Sequence, residues 1–262
     1  MISDRCIRDL LEHVEKTHPV RVLFAAESGS RAWGFSSTDS DYDVRFVYVS
    51  VMDEYLTVNP RRDVIERDEI LTADSQMDLS GWDVRKFLQL LGKSNPACFE
   101  WLQSQLVYRE TEEWAWVRQM ARPFFSPKAA MHHYLSMARH NYREHMRDGQ
   151  APSVKLKKYL YITRPLLCCH WIEMRPRWDP PPMPFNDVLW ATQPPGLLRE
   201  ALSLLAENKR KGCELEEGSA IPCINEFIDA ELARLPAIAE TLPIGCGNPR
   251  SLDSLFATIA RR

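Results

Sequence analysis

The apolar pattern of this chain changes character near residue 110, and that change limits the folds open to it. Before that point, short runs of β-branched and aromatic residues alternate with helical spacing. After it, nearly every segment reads as helix. Residues 4–17 place Ile7, Leu10, Leu11 and Val14 on one helical face. Arg21–Ala26, an apolar run after Pro19, reads as a buried strand, and Val44–Val49 as a second. Residues 63–72 are ambiguous and compatible with a hairpin, and residues 75–79 read as another strand. Ser80 and Asp83 resemble an N-cap and its acidic partner, opening a helix that runs to about Leu91. Helical patterns follow near 112–121, 127–148, 153–173, 196–209, 222–235 and 251–261, and the proline-dense stretch 176–184 reads as a loop. The expected fold class is α+β, with a mixed-sheet domain over residues 1–110 and a helical bundle over residues 111–262.

The net charge of −3 offers no global field for a polyanion, so any nucleic-acid partner must be held by a local patch. Seven irregularly spaced cysteines contain no CxxC pair, which argues against structural zinc and for reduced core thiols. The N-terminus lacks a signal-peptide pattern, and no apolar run approaches the ~20 residues of a membrane span. These features set the expectation of a cytoplasmic protein without a membrane partner.

The chemistry is concentrated in Glu27-Ser28-Gly29-Ser30-Arg31-Ala32-Trp33-Gly34 and the following Asp39-Ser40-Asp41-Tyr42-Asp43. Gly29 permits a tight turn after the first strand. Ser30 then falls at a helix start, where N–H groups and its hydroxyl suit phosphate oxygens. Asp41 and Asp43 alternate at the start of the next strand, so their carboxylates share one face about 7 Å apart at the backbone. Such a pair suits Mg²⁺ or Mn²⁺, and two such ions can clamp both oxygens of an in-line displacement. A third carboxylate is expected from a neighbouring strand. Asp78, between apolar Met77 and Leu79, is preferred for it over Asp83, whose pattern is that of a helix-start residue. A D-x-D alone is weak, and it is the combination with Gly-Ser between two strands that is specific.

At these residues the sequence resembles the DNA polymerase β nucleotidyltransferases. The longer string from Gly29 to Asp43 is similar to the RNA-ligase-associated family RlaP, as are Asp78–Lys86, Lys93–Pro96 with Glu100-Trp101, and Lys155–Pro165. The resemblance implies a polymerase-β-like catalytic domain followed by a helical substrate- or nucleotide-binding domain. It also implies transfer of a nucleoside monophosphate from an NTP to an RNA end. ATP as the donor follows from abundance and kinship, since no adenine-reading motif is present. Other acceptors consistent with the motif are a protein hydroxyl or a small molecule, and a non-catalytic NTP sensor is the reading from another class.

Lys157, Tyr161 and Arg164 fall on one helical stripe that suits a triphosphate and its base or ribose, or else forms a solvated basic face; Lys158 is a lesser candidate. Arg31 suits phosphate, acceptor or a surface ion pair, and Arg45 a carboxylate or the leaving pyrophosphate. Trp33 and Trp82 read as packing residues. His132, His133, His140 and His145 form no demanding metal pattern, and the Arg139…His145 spacing is only faintly like a HEPN ribonuclease motif. Lys209–Gly212 reads as a solvated helix end.

Overall fold

The computed structural model describes residues 2–66, 77–146, 154–175, 179–212 and 217–262. The strands are β1 (Val20–Glu27), β2 (Tyr42–Ser50), β3 (Val64–Ile65), β4 (Met77–Asp83), β5 (Val107–Glu110), β6 (Val154–Lys155) and β7 (Glu217–Gly218). The helices are α1 (Asp4–Thr17), α2 (Gly29–Ala32), α3 (Met52–Tyr55), α4 (Val84–Gly92), α5 (Pro96–Gln103), α6 (Glu112–Ala121) and α7 (Pro127–Met146), then α8 (Leu156–Met174), α9 (Phe185–Thr192), α10 (Gly196–Arg210), α11 (Pro222–Thr241) and α12 (Pro249–Ala260). They form two compact units. The first holds Met1–Ala32, Ser40–Phe124 and Cys246–Arg262; the second holds Trp33–Asp39 and Phe125–Gly245. Residues 111–124 and 246–262, assigned to the helical half on sequence, therefore pack with the sheet.

The first unit is built on a five-stranded mixed sheet of order β3-β4-β2-β1-β5. β2 pairs antiparallel with β1 and parallel with β4. Strand alternation explains the layering. Tyr42, Val44, Phe46 and Tyr48 of β2 join Met77 and Leu79 of β4 in a core closed by Ile7, Leu11 and Val14 of α1. Ser3 caps that helix by accepting from the Cys6 N–H. The opposite face of β2 carries half-buried Asp43 and Arg45 and then buried Val47 and Val49. α4 and α12 both pack against β2.

Three expectations shift here. β2 starts at Tyr42, so Asp41 lies one residue before the strand rather than within it. β4 continues to Asp83, where a helix was expected from Ser80. Parallel pairing with β2 extends the strand, and Gly81 admits the Phe46 ring, which a Cβ would meet at 2.1 Å. Asp83 itself is the N-cap of α4, accepting from the Arg85 N–H. Of the suspected hairpin at 63–72, Val64–Ile65 pairs with β4, while residues 67–76 lie outside the described residues.

The second unit is mostly helical, with α7, α8 and α11 packed on one another and β6 paired with β7. α8 and α11 run through Pro165 and Pro236, so α11 extends beyond the expected end at 235. α5, β5 and α9 were not anticipated. α5 starts on a local signal, with Asn95 accepting from the Ala97 N–H and Pro96 at the first position. Among the described residues no helix is long and apolar enough to cross a membrane.

Candidate active site

Asp43 is held from four directions. Its N–H donates to Glu27 Oε1 at 2.8 Å, and its carbonyl accepts from the Ser28 N–H at 2.8 Å. Gly29 turns the chain at φ +56°, and a Cβ there would lie 1.9 Å from Asp43 Oδ2. This glycine is required both for its backbone conformation and because the carboxylate occupies the space a side chain would need. On the fourth side Arg45 NH2 stands 3.5 Å from Asp43 Oδ1.

Asp78 is the register partner of Asp43 across the parallel β2–β4 pair. Paired residues on adjacent strands share a face, with the strands about 4.8 Å apart, so the two carboxylates stand side by side. Arg45 NH2 reaches Asp78 Oδ2 at 2.7 Å, and its NH1 donates to the Asp78 carbonyl at 3.1 Å. Of the alternatives for Arg45, the carboxylate partner is the one present. Asp41 is exposed, one residue before β2. Ser30 is buried in the short α2, and Arg31 stacks 3.7 Å over the Tyr42 ring while donating to the Ser40 carbonyl at 3.2 Å.

Glu27 is the residue that sequence reasoning passed over. It is fully buried, and burial pushes its carboxyl pKa up against the opposing pull of Tyr108 and the Asp43 N–H. The Tyr108 hydroxyl donates to Glu27 Oε2, and Ser104 donates to the Glu27 carbonyl at 2.8 Å. A charged residue closing the apolar run Val22–Ala26 was the available signal. Asp83, by contrast, is buried on the stability side. Its pKa is raised by burial, and it accepts from Tyr55 at 2.8 Å and from Ser50 at 3.3 Å.

In the second unit, Trp33, Phe35 and Tyr161 form an aromatic cluster with ring centroids 5.7 to 6.1 Å apart. Lys157 is exposed and Tyr161 half-buried. Arg164 departs from the expected stripe: it is 1% exposed, lies 4.5 Å over Trp33 and donates to the Met183 carbonyl at 2.9 Å. Trp33 thus packs, as expected. Lys209, read as part of a solvated helix end, is also buried, 3.2 Å from the Tyr161 hydroxyl and 4.6 Å over the Phe35 ring. Lys158, 5.5 Å over the Tyr161 ring, has its pKa lowered by burial and by Lys157. His132 pairs with Glu240, His140 with Glu144, and Arg139 donates to the Leu232 carbonyl.

Among the described residues no three His, Cys, Asp or Glu side chains are gathered closely enough to form a metal site as they stand. The donors themselves suit a hard divalent cation. Two adjacent carboxylates offer only oxygen, and a cationic nitrogen, Arg45 NH2, already lies against both.

A mixed sheet with Gly-Ser after one strand and two aspartates in register on the next pair is consistent with a polymerase-β-like nucleotidyltransferase fold. The family model described as "RNA repair pathway DNA polymerase beta family", RlaP, matches residues 3–257, and the chain belongs to that family. It is also 40% identical over 237 residues to YcgL of Bacillus subtilis (strain 168), an uncharacterized protein, covering 90% of this chain and 88% of that one.

Proposed function

We propose that this protein transfers a nucleoside monophosphate, with AMP from ATP as the first candidate, to the hydroxyl of an RNA end. The observation that carries the reading is the pairing of Asp43 with Asp78 on neighbouring parallel strands, with Gly29 packed against the Asp43 carboxylate.

Asp41, Asp43 and Asp78 would hold Mg²⁺ or Mn²⁺, which supplies charge neutralisation at the phosphates and acidifies a bound hydroxyl. The acceptor oxygen attacks the α-phosphorus, a new P–O bond forms as the bond to the β-phosphate oxygen breaks, and pyrophosphate leaves. Asp78, the more exposed of the paired carboxylates, takes the hydroxyl proton. Gly29 and Ser30 are assigned to the phosphates, and Arg31 to keeping the intervening loop closed on Tyr42. Lys157 and Tyr161 are proposed to bind nucleotide, while the burial of Arg164 gives it a packing role. Catalysis rests on positioning and electrostatics.

The test is pyrophosphate release from each NTP with Mg²⁺, with and without RNA, at rising salt. RNA-stimulated release that falls steeply with salt supports an RNA acceptor. Release equally stimulated by a protein or small-molecule fraction reassigns the acceptor. Nucleotide binding with no release from any mixture favours a sensor.

A further inference from the structure

The guanidinium of Arg45 divides its contacts unequally. NH1 is anchored on neutral backbone, donating to the Val44 carbonyl at 3.3 Å and the Asp78 carbonyl at 3.1 Å. Among the described residues NH2 faces the carboxylates, at 2.7 Å from Asp78 Oδ2 and 3.5 Å from Asp43 Oδ1. Two carboxylates side by side on adjacent strands repel one another, and this NH2 group offsets that repulsion. It also lies against one oxygen of each carboxylate, where a divalent cation would compete with it. The Asp78 side chain is 52% exposed and that of Arg45 21%, so the contact can open without unpacking the core.

We propose that Arg45 is an exchangeable counter-ion. It holds the Asp43–Asp78 pair before substrate arrives, competes with free divalent metal for it, and shifts the ion pairing of its NH2 group from the carboxylates to phosphate oxygens when metal and nucleotide enter together. This inference rests on the metal–nucleotide reading of the site. It makes loading ordered: free metal binds weakly, whereas a metal–nucleotide complex supplies both the cation that replaces NH2 and the anion that receives it. NH1 stays on the backbone carbonyls and keeps the guanidinium in place during the exchange. A fixed structural ion pair would have neither property.

The experiment is titration of free Mn²⁺ by electron paramagnetic resonance, beside binding of the non-transferable analogue α,β-methylene-ATP with Mg²⁺, in wild type, Arg45→Met, Arg45→Lys and Asp43→Asn. Thermal melting checks folding. Arg45→Met is expected to bind free Mn²⁺ at least about threefold more tightly and the Mg²⁺–nucleotide at least about threefold more weakly, the scale of a partly exposed ion pair. Arg45→Lys, which retains the charge, should lie closer to wild type in both. Unchanged or weaker Mn²⁺ binding in a folded Arg45→Met, with binding lost in Asp43→Asn, overturns the exchange while leaving the metal site standing. Mn²⁺ binding that survives Asp43→Asn overturns the metal reading and the exchange with it. If Arg45→Met does not fold without metal, recovery of its melting transition by Mn²⁺ alone supports the competition, and failure to recover contradicts it.

Discussion

Asp43 and Asp78, far apart in the chain, are register partners on the parallel strands β2 and β4, and a single guanidinium nitrogen of Arg45 lies within 3.5 Å of a carboxylate oxygen of each. Parallel pairing is what brings them together, because it puts equivalent positions of two strands on one face. The arrangement separates residues that hold the site from residues that act in it.

Gly29 holds the site. An alanine there would place its Cβ 1.9 Å from Asp43 Oδ2 in a backbone conformation that L-residues avoid. Gly29→Ala should cost about 2 kcal/mol or more in urea unfolding and reduce transfer at least ~100-fold, because a misplaced catalytic group is costly in rate. A variant with near-native transfer would mean that Asp43 is not needed where it stands.

Asp78 and Asp83 should part stability from activity. Asp83 caps α4 and accepts from Tyr55 and Ser50, so Asp83→Ala should lose about 1–2 kcal/mol and keep transfer at temperatures where it remains folded. Asp78→Asn, at a half-exposed side chain, should melt close to wild type and lose transfer ~100-fold or more. Melting curves beside rate measurements on the same samples check both.

Glu27 gives a pH signature. Its folded pKa is raised above the ordinary 4.5, chiefly by burial. A raised carboxyl pKa contributes stability that is fully present below the unfolded value and lost as pH rises through the folded value. Glu27→Gln removes that titration and can still accept the Asp43 N–H. The melting temperature of wild type relative to Glu27→Gln should therefore fall as pH rises above about 4.5, levelling off past the folded pKa. A difference that grows with pH would contradict the burial of an unfavourable charge.

Arg164 should behave as a packing residue. Replacing it by alanine removes a buried cation from Trp33 and the Met183 carbonyl and leaves a void, at a cost of about 2–4 kcal/mol. Lys157→Ala, at an exposed position, should leave melting unchanged and weaken nucleotide binding a few-fold. If Arg164→Met instead melts like wild type and loses nucleotide affinity, its burial is not its role.

Much of the first unit was legible because its signals are local. The β-branched and aromatic run Val44–Val49, the helical spacing of α1, and Gly-Ser and D-x-D at strand ends each need only a few neighbouring residues. The strand placement of Asp78 was legible for the same reason, since it stands between Met77 and Leu79. What the sequence concealed is tertiary. Nothing near Ser80 says that β4 will follow β2 to Asp83; that depends on the pairing of Phe46 with Gly81. Arg164 and Lys209 look like surface charge on a helical wheel. They are buried because aromatic rings from Trp33 and Phe35, remote in sequence, pack over them. Glu27 is a charged residue at the end of an apolar run, and only the fold shows that Tyr108 and the Asp43 N–H meet it there.

The most direct test of the catalytic reading is transfer of α-labelled phosphate. The protein would be incubated with Mg²⁺, each α-labelled NTP in turn, and cell RNA, protein and small-molecule fractions kept separate, beside an Asp41→Asn, Asp43→Asn double variant checked for folding. The expected result is label in the RNA fraction, strongest with ATP and absent with the double variant. Label that persists with the folded double variant would contradict the assignment of these aspartates to catalysis.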